Sequence, residues 1–455
     1  MKRRIALALA VVAVALLRVA TRGYAADSWD AVGFVRAVDH FDLAAFQPHF
    51  PGYPVYVALC KLVRAPQLVS AAASAATALA LWRIAAAYAG GDDARARDRS
   101  GYVALALWAG AFSPWLTGGA ALADATATAL VAAAFAALTF AGARAALLAG
   151  VAIALAMGTR VSYWPLLLSF AVVVARFRPA LDRRAALAGA VAATLAWLLP
   201  FVAVVGAAPL VALGRVHVAG HFADLGGSIA TRPDLLARVA AFARDLAYDG
   251  IWPNRYALAA ALAGCALLWR RPSPRARAVA AIIVVPYALW ALFAQNVLTQ
   301  PRHLLPLAAA TIVAIAIAAA RRPVVGAALA ALAFAASAPL LVHRAPPAAV
   351  VVAERVAAQF PARDDVIVFA ARSARVMHAA VPSLQTHDAE RVSDILGTLE
   401  RLSVLPRHIF YVAEELAADD PSHTSSADDS LHSCRDSRVD RQSPCVTLRS
   451  YNLQP

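Results

Sequence analysis

Seven stretches of this chain run almost without charge: Ile5–Leu17, Leu68–Ala89, Ala120–Ala141, Ala185–Ala208, Ala278–Ala294, Leu304–Ala320 and Val324–Val342. A helix needs about 20 apolar residues to cross the hydrocarbon layer of a bilayer. No water is available there, so each crossing segment must satisfy its own backbone hydrogen bonds, as a helix does. Several of the runs reach that length. The composition agrees: 61% of the 455 residues are hydrophobic and 15% charged, against roughly half and a quarter in a soluble domain. The expected fold is therefore an all-α polytopic membrane protein.

The formal net charge of +14 would suggest nucleic acid in a soluble protein. Here the excess is mostly Arg in short loops between apolar runs, and no basic–aromatic recognition module is present. Such loops follow the positive-inside rule. Lys2-Arg3-Arg4 sets the first side, and the clusters around Arg95, Arg97 and Arg99, Arg144, Arg176 to Arg184, Arg270 to Arg277, and Arg321 and Arg322 return to it. This parity holds only if the short segment HFPGYPVYVAL (His49–Leu59) does not cross. It is expected to be a juxtamembrane or re-entrant helix, and the count comes to about 11 spans. Ala145–Met157 and Tyr256–Trp269 are among the shorter of these. The N-terminus is cytoplasmic on this count, in the cytoplasmic (inner) membrane. Two fates stay open for the first run, a retained span or a cleaved signal peptide.

The expected organisation is a transmembrane domain over residues 1–345, with a first outer loop at 24–66, and an extracytoplasmic domain over 346–455. In the latter, Asp365–Ala370 and His408–Val412 read as strands, and Ser373–Ala380 and Ala389–Leu402 as helices. Alternating short strands and helices point to a small α/β domain. No Gly-rich strand–helix turn marks a nucleotide site. Cys434 and Cys445 sit in a polar terminus where an outer-face disulfide is chemically allowed. Cys60 and Cys265 lie in apolar segments as core residues.

The candidate chemistry lies in the outer loops and at the ends of the spans. Asp27 and Asp30 are one turn apart if that stretch is helical; a carboxylate there is able to take a proton from a hydroxyl, or to serve as a solvated acid or helix cap. His49 is suited to orienting a carboxylate or touching phosphate. Asp124 sits inside the start of an apolar run, where an ionisable group costs at least ~2.5 kcal/mol and so is a functional candidate; an interfacial acid hydrated from outside is the alternative. Arg160 and Arg302 fall on the outer side, and the planar guanidinium suits phosphate; snorkelling to the interface is the bland alternative. His217 and His221 share a face if helical. With Asp224 they mimic a metal set without the usual supporting context. No metal ligand is assigned; a divalent ion is left open, and no other cofactor is implied.

Taken together, a first span, an outer loop opening with Asp27-Ser28-Trp29-Asp30, the helix start His49-Phe50-Pro51-Gly52-Tyr53-Pro54, and the turn Pro301-Arg302-His303-Leu304-Leu305-Pro306 resemble the GT-C superfamily of membrane glycosyltransferases. Its members include protein O-mannosyltransferases and the aminoarabinose transferase of lipid A. The resemblance covers most of residues 1–345. It implies transfer of a sugar from a polyprenyl-phosphate donor to a hydroxyl on a lipid, glycan or protein acceptor, at the outer face and with inversion. Asp27 would be the base, with Asp30 as its rival. Arg160, Arg302 and His221 would hold the leaving phosphate, and His49, Tyr53, Asp124, His217 and His303 complete the substrate-binding set. Membrane lipids are the other partners, and nucleic acid is not one. A multi-span transporter or flippase of a lipid-linked or polar substrate is the main alternative, and an inactive scaffold the third.

Overall fold

The computed structural model of the chain describes residues 2–89, 93–223, 227–268, 274–360, 365–402, 405–416 and 431–451. Asp224, Trp269, Arg270 and Arg271 lie outside them. The chain divides into two compact units, Met1–Gly23 with Phe34–His343, and Tyr24–Gly33 with Arg344–Pro455. The division falls at 343/344, two residues before the expected 345/346, and the opening of the first loop, Tyr24–Gly33, groups with the C-terminal residues.

The first unit is helical: α1 (Lys2–Ala20), α2 (Trp29–Asp39, begun in the other unit), α3 (Pro54–Val63), α4 (Pro66–Tyr88), α5 (Ala94–Gly110), α6 (Phe112–Gly118), α7 (Ala123–Ala137), α8 (Ala143–Thr159), α9 (Trp164–Phe177), α10 (Ala180–Val205), α11 (Ala207–Ala223), α12 (Leu235–Ala247), α13 (Arg255–Leu268), α14 (Pro274–Ala294), α15 (Leu305–Ala319) and α16 (Pro323–Leu341). Among the described residues, five helices are long and apolar enough to cross a membrane: α4, α10, most of α14, the segment Pro301–Ala319, and α16. The pair α6 and α7, bent by 113°, makes six if it forms one span. Helices α3, α8 and α13 and the segment Val161–Phe177 are apolar but shorter.

This is fewer than the sequence count, and the reasons are local. Helix α1 holds Lys2, Arg3, Arg4 and Arg18 within its 19 residues. The expected span Tyr102–Trp115 breaks at Ala111, which is extended between α5 and α6. At the preceding Gly110 a Cβ would lie 2.8 Å from the backbone nitrogen of Phe334. The Pro54 helix, which the sequence count already left out, has 10 residues, too few to cross.

Outward apolar surface marks the lipid side. On α10, Leu187, Val191, Leu195 and Leu199 repeat every four residues and all are exposed, a stripe that water would not tolerate but lipid does. Small residues let the bundle close. Helices α8 and α10 pack through Gly150 and Gly189, where an added Cβ would meet Ala186 O at 1.9 Å and Leu147 O at 2.3 Å. Such close backbone approach is how helices gain van der Waals contact in lipid.

The second unit contains α17 (Ala348–Gln359), β1 (Val366–Ala370), α18 (Arg372–Ala380), β2 (Gln385–Asp388), α19 (Val392–Leu399), β3 (His408–Val412), β4 (Leu431–Cys434) and β5 (Cys445–Ser450). The sheet order is β2-β1-β3-β5-β4. Strands β2, β1 and β3 are parallel, and β5 and β4 add antiparallel. Val32, Val352, Val368, Met377, Val446 and Leu448 share its core, so the N-terminal segment is built into this unit. Cys434 faces Cys445 across the ladder and is joined to it by a disulfide.

Candidate active site

In the first unit, three residues far apart in sequence form one buried centre. Asp124, fully buried in the first turn of α7, accepts from Arg160 Nη1 at 3.2 Å, and Arg302 Nε lies 3.9 Å from the same Oδ2. Arg160 is placed by the end of α8, where it is the C-cap and its N–H donates the last helical bond, to the Ala156 carbonyl at 2.8 Å. Arg302 is placed by the short 3-10 turn Pro301–Leu304, which opens with a proline. Helix geometry thus aims both guanidiniums at one carboxylate. Their side chains are 8% and 13% exposed.

Two guanidiniums thus share one buried carboxylate. Asp124 Oδ1 and Arg160 Nε have no hydrogen-bond partner among the described residues. Aromatic hydroxyls wall the centre. The Tyr163 ring lies 5.8 Å from the Arg160 guanidinium carbon, and its hydroxyl meets Thr128 Oγ1 at 3.2 Å. Tyr287 donates to the carbonyl of His303 at 2.8 Å, which ties α14 to the Arg302 turn. His303 itself is buried.

The first unit also holds two apolar cavities. One, of about 370 Å³, is lined by residues including Leu81, Phe135, Leu166, Ile283 and Leu307, with Thr128 in its wall. The other, of about 250 Å³, is lined by residues including Phe50, Tyr53, Trp197 and Phe201, with Thr159 in its wall.

The HFPGYP segment folds as a tight loop. Gly52 has φ +89°, and a Cβ there would meet the Phe201 ring at 2.7 Å. Tyr53 itself is left-handed, φ 49°, at the start of α3, a conformation that a bulky residue holds only under surrounding constraint. Its hydroxyl bonds His49 Nε2 at 2.7 Å. His49, His217 and His221 stand in file, with ring centroids 6.2 and 6.4 Å apart. His221 Nε2 donates to the Ala294 carbonyl at 2.8 Å. His217 and His221 are thus helical neighbours on α11, as their spacing implies.

Asp27 and Asp30 belong to the second unit. They do not share a helix: α2 starts at Trp29, and the Ser28 hydroxyl accepts from the Ala31 N–H at 3.3 Å as its cap. Asp30 is half-buried in the first turn of α2. Asp27 is buried before it, with Arg344 Nη2 donating to one carboxylate oxygen and Arg435 Nη1 to the other, at 2.7 Å. These arginines were invisible in the sequence, being 317 and 408 residues away. Asp245 and Asp249, buried on and just after α12 beside Arg244, also went unremarked; their i, i+4 spacing next to an Arg was the available signal. Among the described residues, one group has three metal-ligand atoms close together, His432, Cys434 and Cys445, and its two cysteines form the disulfide.

A helical, multi-span unit followed by a small C-terminal α/β unit defines the architecture as that of a polytopic membrane protein. Two solved structures share it over nearly the whole chain. ArnT from Cupriavidus metallidurans in the apo state matches with a TM-score of 0.55 at 13% identity, covering 98% of this chain and 97% of that one. ArnT of the same organism bound to undecaprenyl phosphate matches with a TM-score of 0.53 at 12% identity and the same coverage. At that identity the likeness is one of fold. No family model matches the sequence, and no curated protein matches it.

Proposed function

We propose that the protein is an integral membrane glycosyltransferase that moves a sugar from a polyprenyl-phosphate donor to an acceptor hydroxyl, with inversion. The observation that carries this is the Asp124, Arg160 and Arg302 centre in the first unit: two guanidiniums beside one buried carboxylate, with an apolar cavity of about 370 Å³ in the same unit. A polar anion head joined to a long apolar chain is the ligand such a pairing suits. The likeness to an ArnT structure bound to undecaprenyl phosphate supports the same donor class.

In the proposed reaction the acceptor oxygen forms a bond to the anomeric carbon while the bond from that carbon to the phosphate oxygen breaks. The electron pair of the broken bond stays on the phosphate. Arg160 and Arg302 stabilise that developing charge, because fixed cations in a water-poor site need no reorganisation. The acceptor proton passes to a carboxylate, assigned to Asp27, with Asp30 as the rival. His49, Tyr53, His217, His221 and His303 contribute to substrate binding. The Arg-rich loops suggest a cytoplasmic N-terminus and an extracytoplasmic C-terminal unit. The sugar and the acceptor are not assigned.

The test is turnover by the purified full chain, supplied with a panel of synthetic polyprenyl-phosphate sugars. Wild type is expected to release or transfer one sugar. Asp27→Asn is expected to abolish turnover while still binding donor. Arg160→Gln is expected to raise the donor KM at least ten-fold, about the worth of one lost charge-assisted hydrogen bond. A wild type that binds donor but turns none over would move the transporter reading to the front.

A further inference from the structure

The Asp27 carboxylate is held from two distant points in the chain. Arg344, just after the last helix of the first unit, donates to Oδ2, and Arg435 donates to Oδ1 at 2.7 Å. One guanidinium per oxygen fixes the rotation of the carboxylate as well as its place. All three side chains are buried, Arg435 to 1% exposure.

Arg435 is fixed in turn. It directly follows Cys434, which lies in register with Cys445 in the β4–β5 hairpin and is bonded to it. Its backbone N–H donates to the Pro444 carbonyl at 2.7 Å. The disulfide therefore closes the strand ends from which the Arg435 side chain projects. Next to it, His432 Nε2 lies 3.1 Å from Cys434 Sγ, and both residues are exposed.

We propose that Arg344 and Arg435 are positioning residues for Asp27, and that the Cys434–Cys445 cross-link acts on catalysis through Arg435. This rests on the assignment of Asp27 as the base. A base must sit within hydrogen-bond reach of the proton it takes, and small displacements are costly. Reduction by a dithiol delivers two electrons and two protons, turning the disulfide into two thiols and the reductant into its own cyclic disulfide. Arg435 then keeps its bond to Asp27 and the hairpin's hydrogen bonds but loses the covalent closure of the strand ends, and the orientation of Asp27 loosens.

The experiment uses the full chain with the donor sugar that wild type turns over, measuring kcat, donor KM and thermal midpoint. Arg435→Gln is expected to lower kcat on the order of 100-fold with donor KM unchanged, and Arg435→Lys to recover part of it. Cys434→Ser with Cys445→Ser, or dithiol treatment of wild type, is expected to lower kcat less. Combined with Arg435→Gln, the cysteine changes should add no further loss, because both act through one residue. If Arg435→Gln lowers the thermal midpoint but leaves kcat per folded molecule intact, the positioning role is overturned while the base assignment stands. Losses that add in the combined variant overturn the route through Arg435. An active Asp27→Asn, or a wild type with no turnover, overturns the base assignment and this proposal with it.

Discussion

At the scale of single residues, burial and charge decide what each group can do. Asp440 sits half-buried beside the Asp27 cluster, its Oδ1 accepting from the Ser443 N–H at 3.1 Å. Burial pushes its carboxyl above the ordinary range, with the Ser443 N–H and Arg435 pulling the other way and Asp27 adding to the rise. An acid whose proton affinity rises on folding stabilises the fold while protonated. That contribution is whole below the unfolded value of about 3.9 and is lost as pH climbs through the higher folded value. Asp440→Asn keeps an oxygen for Ser443 and removes the titration. Its thermal midpoint should therefore gain on wild type as pH rises from about 4 to about 7; parallel curves would dismiss the effect. Residues of the first-unit centre were legible because an ion inside an apolar run is conspicuous. The partners of Asp27 were not, because an exposed-looking Arg after a cysteine resembles many surface arginines until the chain has folded.

At the scale of helices, the α8–α10 pair connects packing to the site, since α8 ends on Arg160. Gly150→Ala or Gly189→Ala would each place a methyl against the neighbouring backbone and drive the helices apart. The expected cost is about 1–3 kcal/mol, as for other overpacked contacts. Donor KM should rise too, because Arg160 is carried along. The double variant should lose less than the sum, as both substitutions act on one interface. An unchanged thermal midpoint in either single variant would show that the helices yield freely. Helix existence was legible from apolar runs, but continuity was not: nothing in ALALWAGAFSPW announces that the chain turns at Ala111. In the tail, HIFYV was readable as a strand. Gln385–Asp388 and Leu431–Cys434 were not, being short, polar and only half-covered. The helix expected over Ala389–Leu402 is shorter, Val392–Leu399.

At the scale of the whole molecule, the larger cavity draws its walls from six helices, α4, α7, α9, α12, α14 and α15, so no single segment could have disclosed it. If it holds the isoprenoid chain, filling it should discriminate by chain length. Ile283→Trp is expected to raise KM for a long-chain donor several-fold and to spare a donor cut to two isoprene units. Equal effects on both would place the chain elsewhere. The division of the molecule has a different consequence, one of timing. The second unit is assembled from the opening and the closing stretches of the chain, Tyr24–Gly33 and Arg344–Pro455. During synthesis its first piece emerges hundreds of residues before the rest. Until Arg344 and Arg435 have been made, Asp27 waits without the two arginines that hold it. A chain released early could insert every one of its helices and still lack a settled carboxylate.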